Sequence, residues 1–300
     1  MFELVPLGGY SLRESAGFID AWHEAPSEGG KTEGHLHLAF LSDRSWTPAG
    51  VCLTQDSGGV VKGTVYGEAR VDETRAQTAR ILSLDVDGRE WPNVAERDSV
   101  VARLQLMFPG FRPVNWSNAY EAAAWCLISS RITTRQAQSI KERMCRELGA
   151  SIDIHGTRLF CFPAPEVIAH LKGFQGLFGR KVEYVNALSR AARAGDLDTE
   201  ALRRMPHGES LESLKRLPGI GDFGSQLIRL RALSAVDELP TSERRLLGAV
   251  RTEYGLTHDP DIGELERIAE GWRPYRMWVA VSLRRTLAGG AGMTHSRAAG

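Results

Sequence analysis

Residues 214–228 read LKRLPGIGDFGSQLI. Apolar residues on both sides of the central PGIG follow helical spacing, and the two glycines, Gly219 and Gly221, can adopt the backbone angles that a tight reversal needs. Ile220 can then lie between the two helices that the turn joins. The stretch therefore predicts a helix-hairpin-helix motif, in preference to a simple helix end capped by glycine.

A hairpin of this kind is suited to holding a phosphate group. Small residues let a nucleic-acid backbone approach closely, and free amides at the start of the second helix point toward an anion. We expect the contacts to come from Lys215, Arg216, Gly219, Ile220, Gly221, Gly224 and Ser225.

The composition describes a globular chain whose charge is unevenly distributed. The 300 residues are 42% hydrophobic and carry 37 basic and 37 acidic side chains, which suits two or three ordinary domains. Residues 1–112 hold 11 basic and 16 acidic side chains, so residues 113–300 carry a net charge of +5. Contact with a polyanion is therefore expected from the second part of the chain.

Cysteine, histidine and hydropathy patterns exclude several classes of protein. The four cysteines lack the C-x-x-C spacing of zinc knuckles and iron–sulfur loops and are expected to be buried thiols. His35 and His37 alternate on one strand, but with no third ligand nearby in the sequence we expect them to be exposed. No apolar run approaches the ~20 residues of a membrane span and no leader is evident, so we expect a cytoplasmic protein without membrane contact.

The first part of the chain has the pattern of an antiparallel sheet. Short apolar runs at 36–41, 50–54, 60–66 and 79–84 alternate with turn-forming residues, which predicts four strands. Residues 94–108 then show helical spacing and are expected to form one helix across that sheet.

From residue 118 onward the pattern becomes helical. Apolar spacing predicts one long helix or a broken pair as far as Gly149, with Lys141, Arg143 and Arg146 on its solvated face. Further helices are expected at 181–194 and 210–217. The predicted fold class is α+β, with a β-rich domain of antiparallel strands and packed helices at 1–112. A mostly helical core at 113–300 follows, whose two lobes flank a cleft.

Three further motifs, in order around the hairpin, indicate a family. Residues 120–128 (YEAAAWCLI) look like an F-E-x-x-x-x-x-I-L helix, residues 162–165 (FPAP) like an F-P-x-P turn, and residues 271–276 (GWRPYR) like a W-R-P-W-R element. Together with the hairpin they resemble the helix-hairpin-helix DNA glycosylases, and among them the 3-methyladenine DNA glycosylase II (AlkA) type.

The resemblance implies a function in DNA repair. Members of this family bind double-stranded DNA, flip out a damaged base and break its bond to deoxyribose. They need no redox cofactor or catalytic metal, although backbone carbonyls of the hairpin, here Leu217 to Gly221, can hold a monovalent cation. We therefore expect a monomer without a cofactor that binds damaged duplex DNA in its cleft and is nucleoid-associated if the source is bacterial.

Ser242 stands where the resemblance places the catalytic aspartate. A serine supplies no negative charge to the cationic sugar that forms as the base departs, although it caps a helix about as well as aspartate does. Glu243, reached by shifting the alignment one residue, and Asp237, on the other side of Pro240, are the candidate substitutes.

Other contact positions also differ from the family pattern. Arg131 stands where relatives place a wedge residue, and it either projects into the base stack or is a solvated arginine at a helix end. The expected base pocket contains Phe223, Leu227 and Arg284, and an arginine there would repel a cationic alkylated base.

Two functions are therefore open. The first is a base-excision repair N-glycosylase that removes alkylated or otherwise damaged purines. It would be monofunctional, because no lysine from Leu217 to Ser242 could form a Schiff base, and Lys215 is the nearest. The second is an inactive or very weak protein that binds damaged DNA and has lost the chemistry together with the aspartate.

Overall fold

The computed structural model describes residues 1–21, 31–32 and 34–293, so the last seven residues of the predicted second domain lie outside it. Within this part of the chain there are seven strands and fourteen helices. The strands are β1 (Phe2–Leu4), β2 (Lys31–Thr32), β3 (His35–Leu41), β4 (Pro48–Gln55), β5 (Val61–Gly67), β6 (Ser151–Ile154) and β7 (Thr157–Phe160). The helices are α1 (Leu12–Ala21), α2 (Val71–Ile81), α3 (Trp91–Arg97), α4 (Ser99–Met107), α5 (Ala119–Ser129), α6 (Thr134–Leu148), α7 (Pro165–Ile168), α8 (Lys181–Ala194), α9 (Thr199–Arg204), α10 (His207–Lys215), α11 (Asp222–Arg231), α12 (Arg244–Tyr254), α13 (Ile262–Glu270) and α14 (Arg276–Met293).

An antiparallel sheet of five strands in the order β1-β5-β4-β3-β2 forms the first part of the fold. Strands β3, β4 and β5 confirm the predictions at 36–41, 50–54 and 60–66 within a few residues. Side chains alternate along a strand, so each strand contributes to both faces of the sheet. Both faces are covered by a core. Leu38 and Phe40 enter the main core, whereas Ala39 and Leu41 face the opposite side.

The run at 79–84 was predicted as a strand, and this prediction is wrong. Residues 79–81 are the C-terminal end of α2, which starts with acidic residues in its first turn, and residues 82–84 form the turn after the helix. Arg80 is fully buried there and donates two hydrogen bonds to the Asp43 carboxylate, at 2.7 and 2.8 Å. A short apolar run fits a helix as well as a strand, so periodicity alone could not separate the two.

The predicted helix at 94–108 is divided in two, and the other predicted helices are present. Residues 94–108 form two helices instead of one, because Asp98 accepts hydrogen bonds from the amides of Val100 and Val101 and thereby starts α4. The broken pair expected before Gly149 is confirmed as α5 and α6. Thr133 starts α6 with a capping box.

Lys141 is buried, which corrects the prediction of a solvated position. Its Nζ lies 2.8 Å from Oε1 of Glu121 on α5, and it stacks over the ring of Trp116 at 4.8 Å. Helical spacing placed Lys141 on the polar face of α6, but that face packs against α5 at this level. The acidic residue of the 120–128 motif is therefore the buried partner of a lysine.

A two-stranded hairpin of β6 and β7, which the sequence analysis did not predict, covers the second face of the sheet. Ile152, Ile154 and Leu159 pack there against Ala39, Leu41 and Cys52 in a small core. His37 lies on this face and is fully buried, so the expectation of exposed strand histidines is wrong for it. The cause is the hairpin itself, which covers a face that a single sheet would leave open to solvent.

The chain has two larger hydrophobic cores, and the predicted cleft would lie between the parts of the fold that they stabilise. One contains the sheet, α2, α4 and the C-terminal helices α12 to α14, and the other contains α5, α6, α8 and the hairpin helices α10 and α11. The α+β fold class is confirmed, and the boundary after residue 112 stays a prediction. Among the described residues, no helix is both long enough and apolar enough to cross a membrane.

Candidate active site

The predicted hairpin joins α10 to α11 in the structure. Gly219 has φ +88°, and a Cβ added to it would lie 2.7 Å from atoms of both Leu127 and Tyr184. Ile220 is buried between the helices, as the motif predicts. Gly221 is exposed, and a Cβ added to it would meet no atom within 4 Å. Packing therefore requires glycine at position 219. At position 221, the absence of a side chain leaves the backbone on the outer surface of the turn accessible.

The start of α11 has free backbone amides and an acidic residue, Asp222, that pairs with the nearby lysine. Gly221 is its N-cap and offers no side chain to the first amides, which an anion could therefore approach. Lys215 lies 2.7 Å from Asp222 and 3.2 Å from Glu212, and its hydrogen bond to Asp222 raises the pKa of Lys215. Arg216 is exposed, and among the described residues its side chain donates only to Ser213, at 2.9 Å.

Two predicted contact residues of the hairpin lie inside it. Gly224 is buried near Ile220 and Cys126, and the Ser225 hydroxyl donates to the backbone carbonyl of Asp222 at 3.0 Å. Both residues therefore shape the hairpin. The carbonyl of Leu217 accepts the amide of Ile220 in the turn, and that of Gly221 accepts the amide of Ser225 in α11. A monovalent cation on this segment stays a prediction.

Ser242 is held by Gln226 of α11. The Oε1 atom of Gln226 accepts from the Ser242 hydroxyl at 2.7 Å and from its amide at 3.1 Å, and Gln226 Nε2 donates to Thr241 Oγ1 at 3.1 Å. These bonds fix the segment that leads into α12. The Ser242 hydroxyl is uncharged, and its proton is engaged by the amide oxygen of Gln226. It therefore presents no charge to a substrate.

Glu243 is the N-cap of α12 and reaches into the same region. Its Oε1 accepts from the amide of Arg245 at 3.1 Å, and its Oε2 lies 2.9 Å from Nη1 of Arg284 on α14. The Glu243 side chain is only 12% exposed and that of Arg284 is 21% exposed. The ion pair is thus partly shielded from water. Its charges therefore interact more strongly than they would at the protein surface.

These residues line one pocket between α11, the 240–243 segment and α14. It brings together the predicted base-pocket residues Phe223, Leu227 and Arg284 with Ser242 and Glu243. Gln226, Leu230, Arg231, Pro240, Met277, Ala280 and Val281 complete its lining. The free volume is about 30 Å³, which accommodates a few water molecules and no nucleobase. A flipped base would therefore have to displace side chains of the lining, and Arg284 is one of them.

Asp237 does not reach this pocket. Its carboxylate lies 2.6 Å from Nη1 of Arg273 and 2.9 Å from Nε of Arg276, and it borders a separate surface groove with Arg229. Asp237 therefore holds the two arginines of the 271–276 motif, and the structure separates it from Ser242 and Glu243.

Arg131 projects from the turn between α5 and α6. Its backbone is left-handed, with φ +58°, and the residue is exposed. Within the described chain its side chain forms no hydrogen bond or ion pair, so it can reach an external partner. Whether it enters a base stack stays a prediction.

Gln226 is the principal site residue that sequence analysis missed. It lies one helical turn after Phe223 and next to Leu227, so the three residues share a face of α11. The sequence indicated its role only by its position, since Gln226 is a polar residue between the predicted pocket residues Phe223 and Leu227.

Comparisons with known proteins identify DNA glycosylases as relatives of the chain. No protein-family model matches the chain. It is 24% identical over 210 residues to a DNA-3-methyladenine glycosylase of Bacillus subtilis, and the match covers 69% of both chains. It is 26% identical over 216 residues to a probable bifunctional transcriptional activator/DNA repair enzyme AlkA of Mycobacterium tuberculosis, of which it spans 42%.

Solved structures share the fold over almost the whole length. A 3-methyladenine DNA glycosylase from Archaeoglobus fulgidus superposes with a TM-score of 0.79 at 19% identity, covering 95% of this chain and 97% of that one. An 8-oxoguanine glycosylase/lyase of Clostridium acetobutylicum, in complex with double-stranded DNA, gives 0.68 at 15% identity, covering 95% and 93%. In its fold, its motifs and these relatives, the chain is similar to the helix-hairpin-helix DNA glycosylases, and among them to the 3-methyladenine DNA glycosylase II (AlkA) type.

Proposed function

We propose that this protein is a DNA N-glycosylase that removes damaged purines, and that Glu243 supplies the carboxylate of the reaction. One observation carries the proposal: among the residues that line the pocket in the described structure, Glu243 is the one acid. It is adjacent to Ser242, and its helix start is held in place by the Gln226 contacts of Ser242.

The chemistry requires a negative charge close to the sugar. As the glycosidic bond breaks, its electron pair leaves with the base, and the sugar becomes an oxocarbenium-like cation. Water then adds to the sugar carbon, and the proton it loses goes to the base when a neutral base has left as an anion, or to solvent when a cationic base leaves neutral. A fixed carboxylate in a partly dry site stabilises that cation in the transition state. Glu243 satisfies this requirement once its partner Arg284 moves.

Displacement of Arg284 links base entry to the exposure of Glu243. A flipped base needs more than the about 30 Å³ now free, and Arg284 is one of the side chains that line this volume. When Arg284 turns toward an acceptor on the base or a DNA phosphate, Glu243 loses the charge that neutralises it. We propose that substrate binding itself activates the site.

The same arginine bears on substrate choice. A guanidinium donates hydrogen bonds to carbonyl oxygens or ring nitrogens and repels a positively charged ring. Phe223 offers one aromatic face, 47% exposed, at the pocket edge. We therefore propose neutral damaged purines, such as hypoxanthine or ethenoadenine, as better substrates than cationic 7-methylguanine.

We further propose that the reaction stops at an abasic site. A lyase step needs an amine at the sugar carbon, and no lysine is among the described residues that line the pocket. The nearest lysine in sequence, Lys215, pairs with Asp222 and Glu212 at the hairpin. The expected partner is damaged duplex DNA, bound by one copy of the chain in the cytoplasm.

Base release from lesion-containing duplexes tests the proposal. The native protein and Glu243→Gln are incubated in excess over duplexes with hypoxanthine, ethenoadenine, 7-methylguanine, a 3-methyladenine analogue or uracil. We expect release of at least one purine by the native chain and a loss of about 10²–10³-fold in Glu243→Gln. Glutamine can still accept the Arg245 amide, so the helix start should persist. Equal rates for the two proteins would sink the assignment of Glu243.

A second function is favoured by the engagement of the polar side chains in the pocket. Glu243 is already engaged as a helix cap and as the ion-pair partner of Arg284, and Ser242 is uncharged. Both facts fit a protein that binds damaged DNA without chemistry. Tight binding to lesion or abasic duplexes, with no base released at any protein concentration, would establish this alternative and exclude the glycosylase.

A further inference from the structure

Three histidines and one cysteine meet on the hairpin-covered face of the sheet, on elements other than those of the candidate pocket. His35 and His37 come from β3, Cys52 from β4, and His155 from the turn between β6 and β7. One nitrogen or sulfur atom from each residue can be chosen so that all four lie within 4.8 Å of one another. The four residues are called the His–Cys cluster below.

The topology of the sheet places them together. His37 is directly opposite Cys52 in the register of β3 and β4, and His35, two residues earlier, points to the same face. The tip of the β6–β7 hairpin brings His155, which adopts a left-handed backbone with φ +52° before Gly156. Gly50 permits this approach, because a Cβ there would lie 2.7 Å from the Ile152 side chain.

His37 is the unusual member of the cluster. Its residue is fully buried, yet neither ring nitrogen has a hydrogen-bond partner among the described residues. A buried polar group without a partner is costly, so such groups are rare in stable folds. Burial and the nearby His155 and His35 lower the pKa of His37, which favours the neutral imidazole that ligates metals.

The other members lie close to one another and to Tyr66. His35 Nδ1 lies 3.2 Å from Cys52 Sγ, and His155 Nε2 lies 3.1 Å from the hydroxyl of Tyr66. The ring centroids of His37 and His155 are 5.5 Å apart. Tyr66 is thus placed to contact a ligating histidine from outside, as residues around metal sites commonly do.

We propose that the His–Cys cluster binds one Zn²⁺ ion. Three imidazoles and a thiolate form a borderline-soft donor set that suits zinc, and four protein ligands close a tetrahedral site. Ligand atoms on one zinc ion lie roughly 3.5 Å apart, so rotation of the side chains suffices to draw the four together from within 4.8 Å.

The proposed ion has a structural role. Because all four positions are protein ligands, no site remains open for a substrate. The ion would join the β6–β7 hairpin to the sheet and satisfy His37. Cys52 ligates zinc as a thiolate, so its thiol proton is released to solvent when the ion binds.

Metal binding by the full chain tests this proposal without reference to DNA or activity. The protein is freed of metal with a chelator and titrated with Zn²⁺, and separately with Co²⁺ as a spectroscopic probe. We expect one ion per chain, a thiolate-to-cobalt charge-transfer band, the intense visible bands of tetrahedral cobalt, and a higher Tm with zinc.

Matched variants locate the site. Cys52→Ser should lose the charge-transfer band, whereas Cys126→Ser, a thiol outside the cluster, should keep it. His155 is exposed, and asparagine tolerates its left-handed backbone, so His155→Asn should fold and bind zinc at least about 10–100-fold more weakly. His258→Asn, an exposed histidine elsewhere, should bind as the native chain does. The absence of stoichiometric binding, or binding unaffected by both Cys52→Ser and His155→Asn, would overturn the proposal.

Discussion

Arg284 and Glu243 form an ion pair across the candidate pocket, with Nη1 of the arginine 2.9 Å from Oε2 of the glutamate. The pair joins the residue expected to select the base to the carboxylate expected to stabilise the sugar. In the free protein each charge neutralises the other, and the pocket is nearly filled. Any group that draws Arg284 away therefore enlarges the pocket and exposes the carboxylate in one movement.

Ser242→Asp should increase base release on the order of 10²–10³-fold, because it adds a fixed carboxylate beside the pocket. Gln226 now accepts from Ser242, so its amide must rotate and donate Nε2 to the new side chain, at the expense of its bond to Thr241. Single-turnover release from a hypoxanthine duplex measures the effect. Ser242→Asn has the same shape without the charge and should stay at the native rate. If the asparagine variant is equally fast, charge is not the cause.

Arg284→Met should shift base preference toward cationic lesions. The methionine keeps an apolar stem against the pocket wall and removes the charge that repels 7-methylguanine, so the release rate of this base relative to hypoxanthine should rise on the order of tenfold. The ratio of the two rates is the measurement. Arg285→Met is the control, because the neighbouring arginine pairs with Glu14 instead of entering the pocket. An unchanged ratio in Arg284→Met would contradict the proposed role in selection.

The parts of the fold that were predicted correctly have strong local signals. The PGIG turn between apolar helices specifies its element locally, and the apolar run at 36–41 does so together with the turn-forming residues that follow it. The β6–β7 hairpin has strands of only four residues, and its stability depends on packing against the sheet. Likewise, α2 is stabilised by the buried pair of Arg80 with Asp43 across the fold, which no local pattern contains.

Much of the candidate site could be located from motifs, but its interactions could not. Phe223, Ser242 and Arg284 were predicted as site residues and now line one pocket. The exclusion of Asp237 depends on its pairing with Arg273 and Arg276, which requires the three-dimensional arrangement. The His–Cys cluster shows the same limit, since His35 and His37 meet a cysteine 17 residues away from His35 and a histidine from a distant hairpin.

Breaking the buried pair of Glu121 and Lys141 should destabilise the helical core. Glu121→Gln leaves the lysine with a buried, uncompensated charge, and the expected loss in the free energy of unfolding is about 3–5 kcal/mol. Urea unfolding of the full chain measures it. Replacing both partners, Glu121→Leu with Lys141→Met, removes both charges and should cost less than the single change. A double variant less stable than Glu121→Gln would show that the pair contributes net stability.

Two glycines of the hairpin allow DNA contact to be separated from folding. Gly221→Ala adds a methyl group to open space at a backbone angle that alanine adopts, so Tm should be unchanged. The same methyl keeps a phosphate away from the amides that begin α11, so affinity for duplex DNA should fall, as measured by fluorescence anisotropy at fixed salt. Gly219→Ala should instead lower stability by at least about 1–2 kcal/mol, because its backbone is left-handed and its Cβ would meet Leu127 and Tyr184. Native affinity in Gly221→Ala would show that DNA does not approach the hairpin from this side, whereas weaker binding at unchanged Tm assigns the outer surface of the turn to phosphate contact.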